Sequence, residues 1–265
     1  MITAILIIWY RDLLRFWRNR IRMVGSFIFP ILWLLVFGLG LSASLTLPVP
    51  ELKFVMFLYP GILAQFLIFT SMFSAITILQ DREFGFLKEI LVSPIPRSAV
   101  AIGKILGGAT TGFINLLPVI LLAPVVDVGL SWAMIAELIP ALALLSLALS
   151  ALGVVIMSKL KSLESGQYVF QFIMFPLVML SGAFFPLRNL PEWLNILTKL
   201  NPISYAVDLI RRIVMNHQDI SRDVVDFLSP TIDGRVVSMG FEFAVVAYFT
   251  IALIILASYF FSRSD

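Results

Sequence analysis

Residues 81–104 read DREFGFLKEILVSPIPRSAVAIGK, seven charged residues within 24 in a chain where charge is scarce. Uncharged apolar runs flank the stretch, 54–80 before it and 105–126 after it. A helix needs about 20 apolar residues to cross a membrane, because each rises about 1.5 Å through a core about 30 Å thick. Both flanking runs are long enough, so the charged stretch reads as the connection between two spans. That reading makes the chain an all-α membrane protein.

Working outward, four more runs lack Asp, Glu, Lys and Arg: 23–50, 138–158, 165–187 and 243–262. Six transmembrane helices are therefore expected, over 23–47, 54–80, 99–126, 132–157, 165–184 and 240–262, within a single domain over 1–265. Inside lipid the backbone must satisfy its own hydrogen bonds, so Phe-, Val- and Ile-rich segments form helices there. A membrane barrel would alternate over about ten residues, a pattern this sequence lacks. The composition agrees: 60% apolar, 13% charged, mean hydropathy +1.01. Cysteine is absent and His217 is the only histidine, which leaves no basis for a metal centre. A net charge of +3 in a membrane chain bears on topology rather than on nucleic acid, which is not expected as a partner.

An even number of spans puts both termini on one side. That side carries twelve basic and six acidic residues, and the other carries seven basic and ten acidic. Basic residues mark the cytoplasmic side, so both termini and residues 81–98 are expected in the cytoplasm, with the chain multi-pass in the plasma (cell inner) membrane. The opening ITAILIIW lacks a basic start and a small-residue cleavage site, and does not read as a signal peptide. At helical spacing, residues 1–22 place Arg11, Arg15, Arg18 and Arg22 on one face and Trp9, Leu13 and Phe16 on the other. This is an interfacial amphipathic helix with its guanidiniums toward lipid phosphates, or a grip for a partner. Residues 185–239 are too interrupted by Pro and charge to span, and read as re-entrant or interfacial helices followed by a polar loop over 216–240.

Within the opening stretch Asp81 reads as an N-cap, and Pro94 and Pro96 end a short helix carrying Phe84, Leu87 and Leu91. A charged connector obeying the positive-inside rule explains the same residues without a function. In the spans the residues least suited to lipid are Gln65, Thr70 and Ser71, then Gln167 and Gln171 four apart on one face. They suit a polar path, or hydrogen bonds between helices. Phe175 adds an apolar surface beside them.

The stretch DREFGFLKEILVSPIPRSAVAIGKIL resembles the signature of ABC-2 type transporter permeases, through Arg82-Glu83, Gly85, Leu87, Glu89, Leu91, Ser93-Pro94, Arg97 and Gly103-Lys104. The stretch LSGAFFPLRNLPEWLNILTKLNPISYAVDLIRR is similar to the family's block after the fifth span, through Pro186, Leu190-Pro191, Trp193, Asn201-Pro202, Tyr205, Asp208 and Arg211. Phe84-Gly85-Phe86 departs from the polar residues more usual there. The resemblance implies a type V exporter-like fold with a coupling helix over 81–98. Arg82, Glu83, Phe84, Gly85, Leu87, Lys88 and Glu89 would meet a separate ATPase subunit. It further implies two copies of that ATPase, which bind ATP and Mg, and a second permease that makes a homodimer in membrane lipid. Spans 2 and 5 would line the path. The chain has no Gly-x4-Gly-Lys-Ser/Thr phosphate loop, so it is not expected to be an enzyme or to hold a cofactor itself. A hydrophobic or amphipathic cargo (drug, lipid or lipid-linked compound) is expected, with polysaccharide export as the alternative. An intramembrane enzyme lacks residues to work with, and a passive channel would not need a stiff cytoplasmic helix.

Overall fold

The computed structural model describes residues 1–40, 54–86, 89, 92, 95–187, 190–218, 220–232 and 235–263. Helix α1 (Ile2–Arg18) breaks at Asn19 and is followed by α2 (Arg20–Trp33), continued by a π-helical stretch at Leu34–Leu39. Helix α3 (Phe54–Glu83) runs 30 residues, with a π-helical turn at Ile68–Met72. Helices α4 (Arg97–Leu121), α5 (Trp132–Lys159) and α6 (Leu163–Met179) follow. The shorter α7 (Glu192–Leu200), α8 (Pro202–Asn216) and α9 (Arg222–Leu228) lead through strands β1 (Thr231–Ile232) and β2 (Arg235–Val236) to α10 (Met239–Arg263).

Among the described residues four helices are long and apolar enough to cross a membrane: α3, α4, α5 and α10. A fifth span results if α1 and the segment Met23–Val36, which meet at 85°, count together. The sequence reading expected six. Helix α6, expected over 165–184, has 17 residues and reaches about 26 Å, short of the roughly 30 Å core. It contains Pro176 and gives way to a turn in which Gly182 has φ +74. The rest of the first expected span falls on residues 41–47, outside those described.

Helix α3 is the centre of the bundle. Its apolar window is 78% buried, against 22% for α10 at the periphery. Close approach is set by small residues. A Cβ on Gly61 would overlap the Ala183 carbonyl oxygen, and one on Gly112 would overlap Ser71 Oγ. Glycine thus removes the side-chain layer between backbones, the packing mode that serves helices where apolar transfer gives no drive. Side-chain caps fix several helix starts. Ser131 Oγ accepts from Met134 N at α5, Ser162 Oγ from Ser165 N at α6, and Asn201 Oδ1 from Ile203 N at α8. Helix α10 packs on α5 and α4, and α8 sits across α10, α3 and α5. By contrast α6 meets chiefly α3.

Two expectations are corrected. The loop expected over 216–240 contains α9, whose Val224, Val225 and Leu228 are buried, and a hairpin pairing Thr231 with Val236. Helical spacing in seven residues is too short a signal to read against turn residues. Asp81 is not an N-cap: α3 continues through it to Glu83. The break comes at Gly85, whose φ of +80 and N–H to the Arg82 carbonyl end the helix in the left-handed conformation that glycine adopts at least cost.

Candidate functional site

The last turn of α3 carries a buried ionic cluster. Asp81 is 0% exposed and accepts from Lys104 Nζ at 2.7 Å, Arg11 Nη2 at 2.7 Å and Arg15 Nη1 at 2.9 Å. Lys104 also reaches Asp12 at 3.1 Å and donates to Thr77 Oγ1 at 3.2 Å. Helix α1 comes close enough because it lies along α4 over glycines. A Cβ on Gly103 would meet Ile8 at 2.8 Å, and one on Gly107 would meet Asp12 at 3.1 Å. Trp9 Nε1 donates to Thr110 Oγ1 further along. Arg11 and Arg15 therefore do not simply face lipid phosphate as their helical face suggested; they bind the base of α3. Charges from three segments meet here, so α1, α3 and α4 are tied at one end.

The sequence-predicted coupling residues follow directly. Arg82 Nη1 donates to the Leu160 carbonyl, and Glu83 Oε1 accepts from Leu163 N at 2.8 Å. Both side chains hold the connection between α5 and α6, and Glu83 places a carboxylate at the start of α6 where free N–H groups favour it. Phe84 is 72% exposed, and Phe86, Glu89 and Val92 are exposed with helical backbone at the last three. Leu87 and Lys88 lie outside the described residues. The surface here presents Phe84, Phe86 and Val92 together with the exposed Glu83 and Glu89.

Midway along α3 a groove of about 640 Å³ opens between α2, α3, α4 and α6. Its polar wall is Ser26, Thr70, Asn115, Gln167 and Gln171. Ser26 Oγ bonds Asn115 Oδ1 at 2.7 Å, and Thr70 Oγ1 donates to its own helix at the Phe66 carbonyl. The Gln167 and Gln171 amides bond no other described residue and are exposed. The apolar wall is Phe69, Phe73, Phe170 and Met174, with Phe73 and Phe170 edge-to-face at 5.2 Å. The structure brings Thr70, Gln167 and Gln171 together as their spans suggested. It does not bring in the other three. Gln65 is buried with Oε1 unmatched among the described residues, Ser71 is buried against Gly112, and Phe175 projects outward at 63% exposure.

At the opposite end of α3 lies the block that precedes α9. Pro186 sits half-buried in the turn after α6, Pro191 precedes α7 and Trp193 is exposed. Asn201 Nδ2 donates to the Leu177 carbonyl and Ser204 Oγ to the Leu180 carbonyl, so Pro202 starts α8 docked on the end of α6. Tyr205 donates to the Lys199 carbonyl. Asp208 and Arg211 are both buried. Arg211 donates to the Gly182 carbonyl, lies over the Phe57 ring at 4.5 Å and pairs with Asp208 at 3.5 Å. Burial pulls the Arg211 guanidinium below its usual range, and Asp208 and Glu242 act against that shift. Arg212 bonds Asp208 at 2.8 Å and Ser229 at 2.9 Å, and stands 3.8 Å from the buried Glu242 of α10. Among the described residues no cluster of His, Asp and Glu suits a metal ion.

A family model described as ABC-2 type transporter matches residues 3–215, α1 through α8. The chain belongs to the ABC-2 type transporter family. Its ABC-2 relatives include a chain of Porphyra purpurea named as a transport permease (ycf38), 32% identical over 219 residues, 78% of this chain and 72% of that one. A protein of Escherichia coli K12 named as the multidrug ABC transporter permease YbhR is 29% identical over 190 residues, 66% of this chain but 48% of its own length. Nodulation protein J of Rhizobium meliloti is 24% identical over 212 residues, 78% of this chain and 80% of that one. This chain is accordingly an ABC-2 permease of an ABC transporter, a membrane protein whose family works with ATP-binding subunits. Sequence reasoning missed what the two ionic clusters do. Asp81 pairs with residues 66 and 70 positions away, and no local spacing signals that.

Proposed function

We propose that this ABC-2 permease is the membrane half of an exporter for amphipathic, drug-like or lipid-like compounds, driven by ATP hydrolysis in a separate subunit. The observation that carries the reading is the continuity of α3. One helix bears Thr70 and Phe73 in the groove and ends at the exposed Phe84 and Phe86. A push at that end would be transmitted to the groove through a stiff element, with the π-helical turn at Ile68–Met72 as its point of adjustment. Both amide side chains and aromatic rings line the groove, which suits a cargo with an apolar body and a few polar groups. Relatives named for multidrug transport and for doxorubicin resistance lend support to a drug-like cargo.

In this reading the chain crosses the cell inner membrane six times with both termini in the cytoplasm, α6 completing the fifth span. Two copies pair so that the uncovered face of α6 and the groove line a shared path. Two ATPase subunits, which bind ATP and Mg, seat on Phe84, Phe86 and Val92. Arg82 and Glu83 act indirectly, by fixing α6 to α3, so motion of the base of α3 moves both walls of the groove.

The test is reconstitution with the cognate ATPase in vesicles, followed by ATP turnover and uptake of a fluorescent amphiphile. Phe84→Asp should abolish association and stimulated turnover while leaving the permease folded. Gln171→Leu should keep turnover and change which amphiphiles move. Normal association and turnover in Phe84→Asp would overturn the coupling assignment.

A further inference from the structure

The Arg-rich elbow where α1 meets α2 forms a concavity of about 740 Å³ lined by Arg11, Leu14, Arg15, Arg18, Arg20 and Ile21. Its charge is not balanced. Among the described side chains, Asp12 and Asp81 face Arg11, Arg15 and Lys104, while Arg18 and Arg20 stand exposed with no carboxylate at ion-pair distance. Five cations thus meet two carboxylates. Arg11 Nε is buried and has no acceptor among the described residues, while Nη2 of the same guanidinium binds Asp81. An unmatched buried donor is costly unless something fills the position.

An apolar track leads away from this concavity. Ile21, Val24, Ile28 and Leu32 share one face of α2, and all four are exposed. No described residue buries them, and they begin at the mouth of the basic site. Strong positive charge opening directly onto an aliphatic stripe matches one chemistry, a phosphate diester bearing acyl chains. A soluble phosphate would use the charge and leave the stripe unexplained; an uncharged lipid would do the reverse.

We propose that the α1–α2 elbow binds the headgroup phosphate of one anionic phospholipid per chain, with its acyl tails along Ile21, Val24, Ile28 and Leu32. The headgroup sits against Arg18 and Arg20, beside the half-exposed guanidiniums of Arg11 and Arg15. Because Arg11 and Arg15 also hold Asp81, the bound lipid stands one side chain away from the base of α3. Lipid charge would therefore bias the end of the helix that the proposed function assigns to coupling. The inference rests on the reading of the elbow as lying at the membrane surface.

The experiment is native mass spectrometry of the delipidated full chain in detergent, titrated with phosphatidylglycerol or with phosphatidylcholine of matched tails. Each arginine near a charged headgroup contributes roughly fivefold in affinity, so Arg18→Gln with Arg20→Gln should weaken the first phosphatidylglycerol about twenty-five-fold. Phosphatidylcholine should change little, and thermal unfolding should stay at the wild-type value because neither arginine joins the Asp81 cluster. If the double variant yields no folded protein, Arg20→Gln alone reads the same preference at smaller amplitude. Equal binding of the two lipids, or a preference that survives the substitutions, overturns the proposal. So does full displacement of phosphatidylglycerol by excess inorganic phosphate, which would make this a site for free anions. Binding is read without ATPase or transport, so failure of the exporter reading and failure of this one are separate results.

Discussion

Replacing Asp81 by Asn removes the charge on which three cations converge: Lys104 at 2.7 Å, Arg11 at 2.7 Å and Arg15 at 2.9 Å. The three do not suffer equally. Arg11 and Arg15 are 34% and 36% exposed and recover hydration, so each adds little to the loss. Lys104 is 1% exposed and cannot. Stranding a buried charge costs about 3–5 kcal/mol, and the Asp12 carboxylate at 3.1 Å holds the figure near the lower end, about 3 kcal/mol. At about 2–4 °C per kcal/mol for a chain of this size, the unfolding midpoint should fall by roughly 6–12 °C. Lys104→Met should cost only about 1 kcal/mol, because Asp81 keeps two arginines and the side-chain volume is retained. Combining the two substitutions should destabilise less than their sum, since the stranded cation is gone. The assay is thermal unfolding of the detergent-purified permease followed by tryptophan fluorescence, with size exclusion as the check on aggregation. An Asp81→Asn midpoint within about 2 °C of wild type, or strictly additive losses in the double variant, would refute the reasoning.

The glycines separate by what faces them: Gly61→Ala meets the Ala183 backbone and should lose about 2–3 kcal/mol. Gly112→Ala meets the Ser71 side chain, so it should cost less and be partly restored by Ser71→Ala, while Gly25→Ala, with nothing within 4 Å, is the neutral control. Melting curves of the four proteins check the order. Glu83→Lys should raise hydrogen exchange at residues 162–166 by releasing the start of α6, whereas Glu83→Gln, which keeps an acceptor for Leu163 N, should leave it close to wild type. Arg211→Lys cannot span Gly182, Asp208 and the Phe57 ring together, and should lower the folded yield by an amount equivalent to about 2 kcal/mol in a denaturant series.

What the sequence made legible depended on the range of the signal. The long uncharged runs identified α3, α4, α5 and α10, because burial in lipid acts on each helix by itself. Thr70, Gln167 and Gln171 were legible as a group because a polar side chain in a span is rare enough to stand out. Asp81 was misassigned because a charge after an apolar run looks the same whether a helix ends there or another begins. Its role follows from Arg11, Arg15 and Lys104, and only the packing of α1 on α4 brings these together. The hydrogen bonds of Arg82 and Glu83 to the Leu160–Leu163 connection were not legible for the same reason: that connection is far off in sequence. The bend at Asn19 had no proline or glycine to announce it.

The peripheral position of α10 has a consequence for how the protein is made. This helix is synthesised more than 75 residues after α4 and α5, yet it packs against both. Until it arrives, α4 and α5 lack that cover, Lys159 lacks the Phe260 ring it lies over at 4.1 Å, and Arg212 lacks Glu242. A nascent chain stalled before residue 239 is therefore an unclosed bundle that shows a membrane protease or chaperone a surface the finished protein never exposes. Closure of the bundle therefore waits on the synthesis of α10, and the cell can recognise an unclosed permease by the faces α10 has yet to cover.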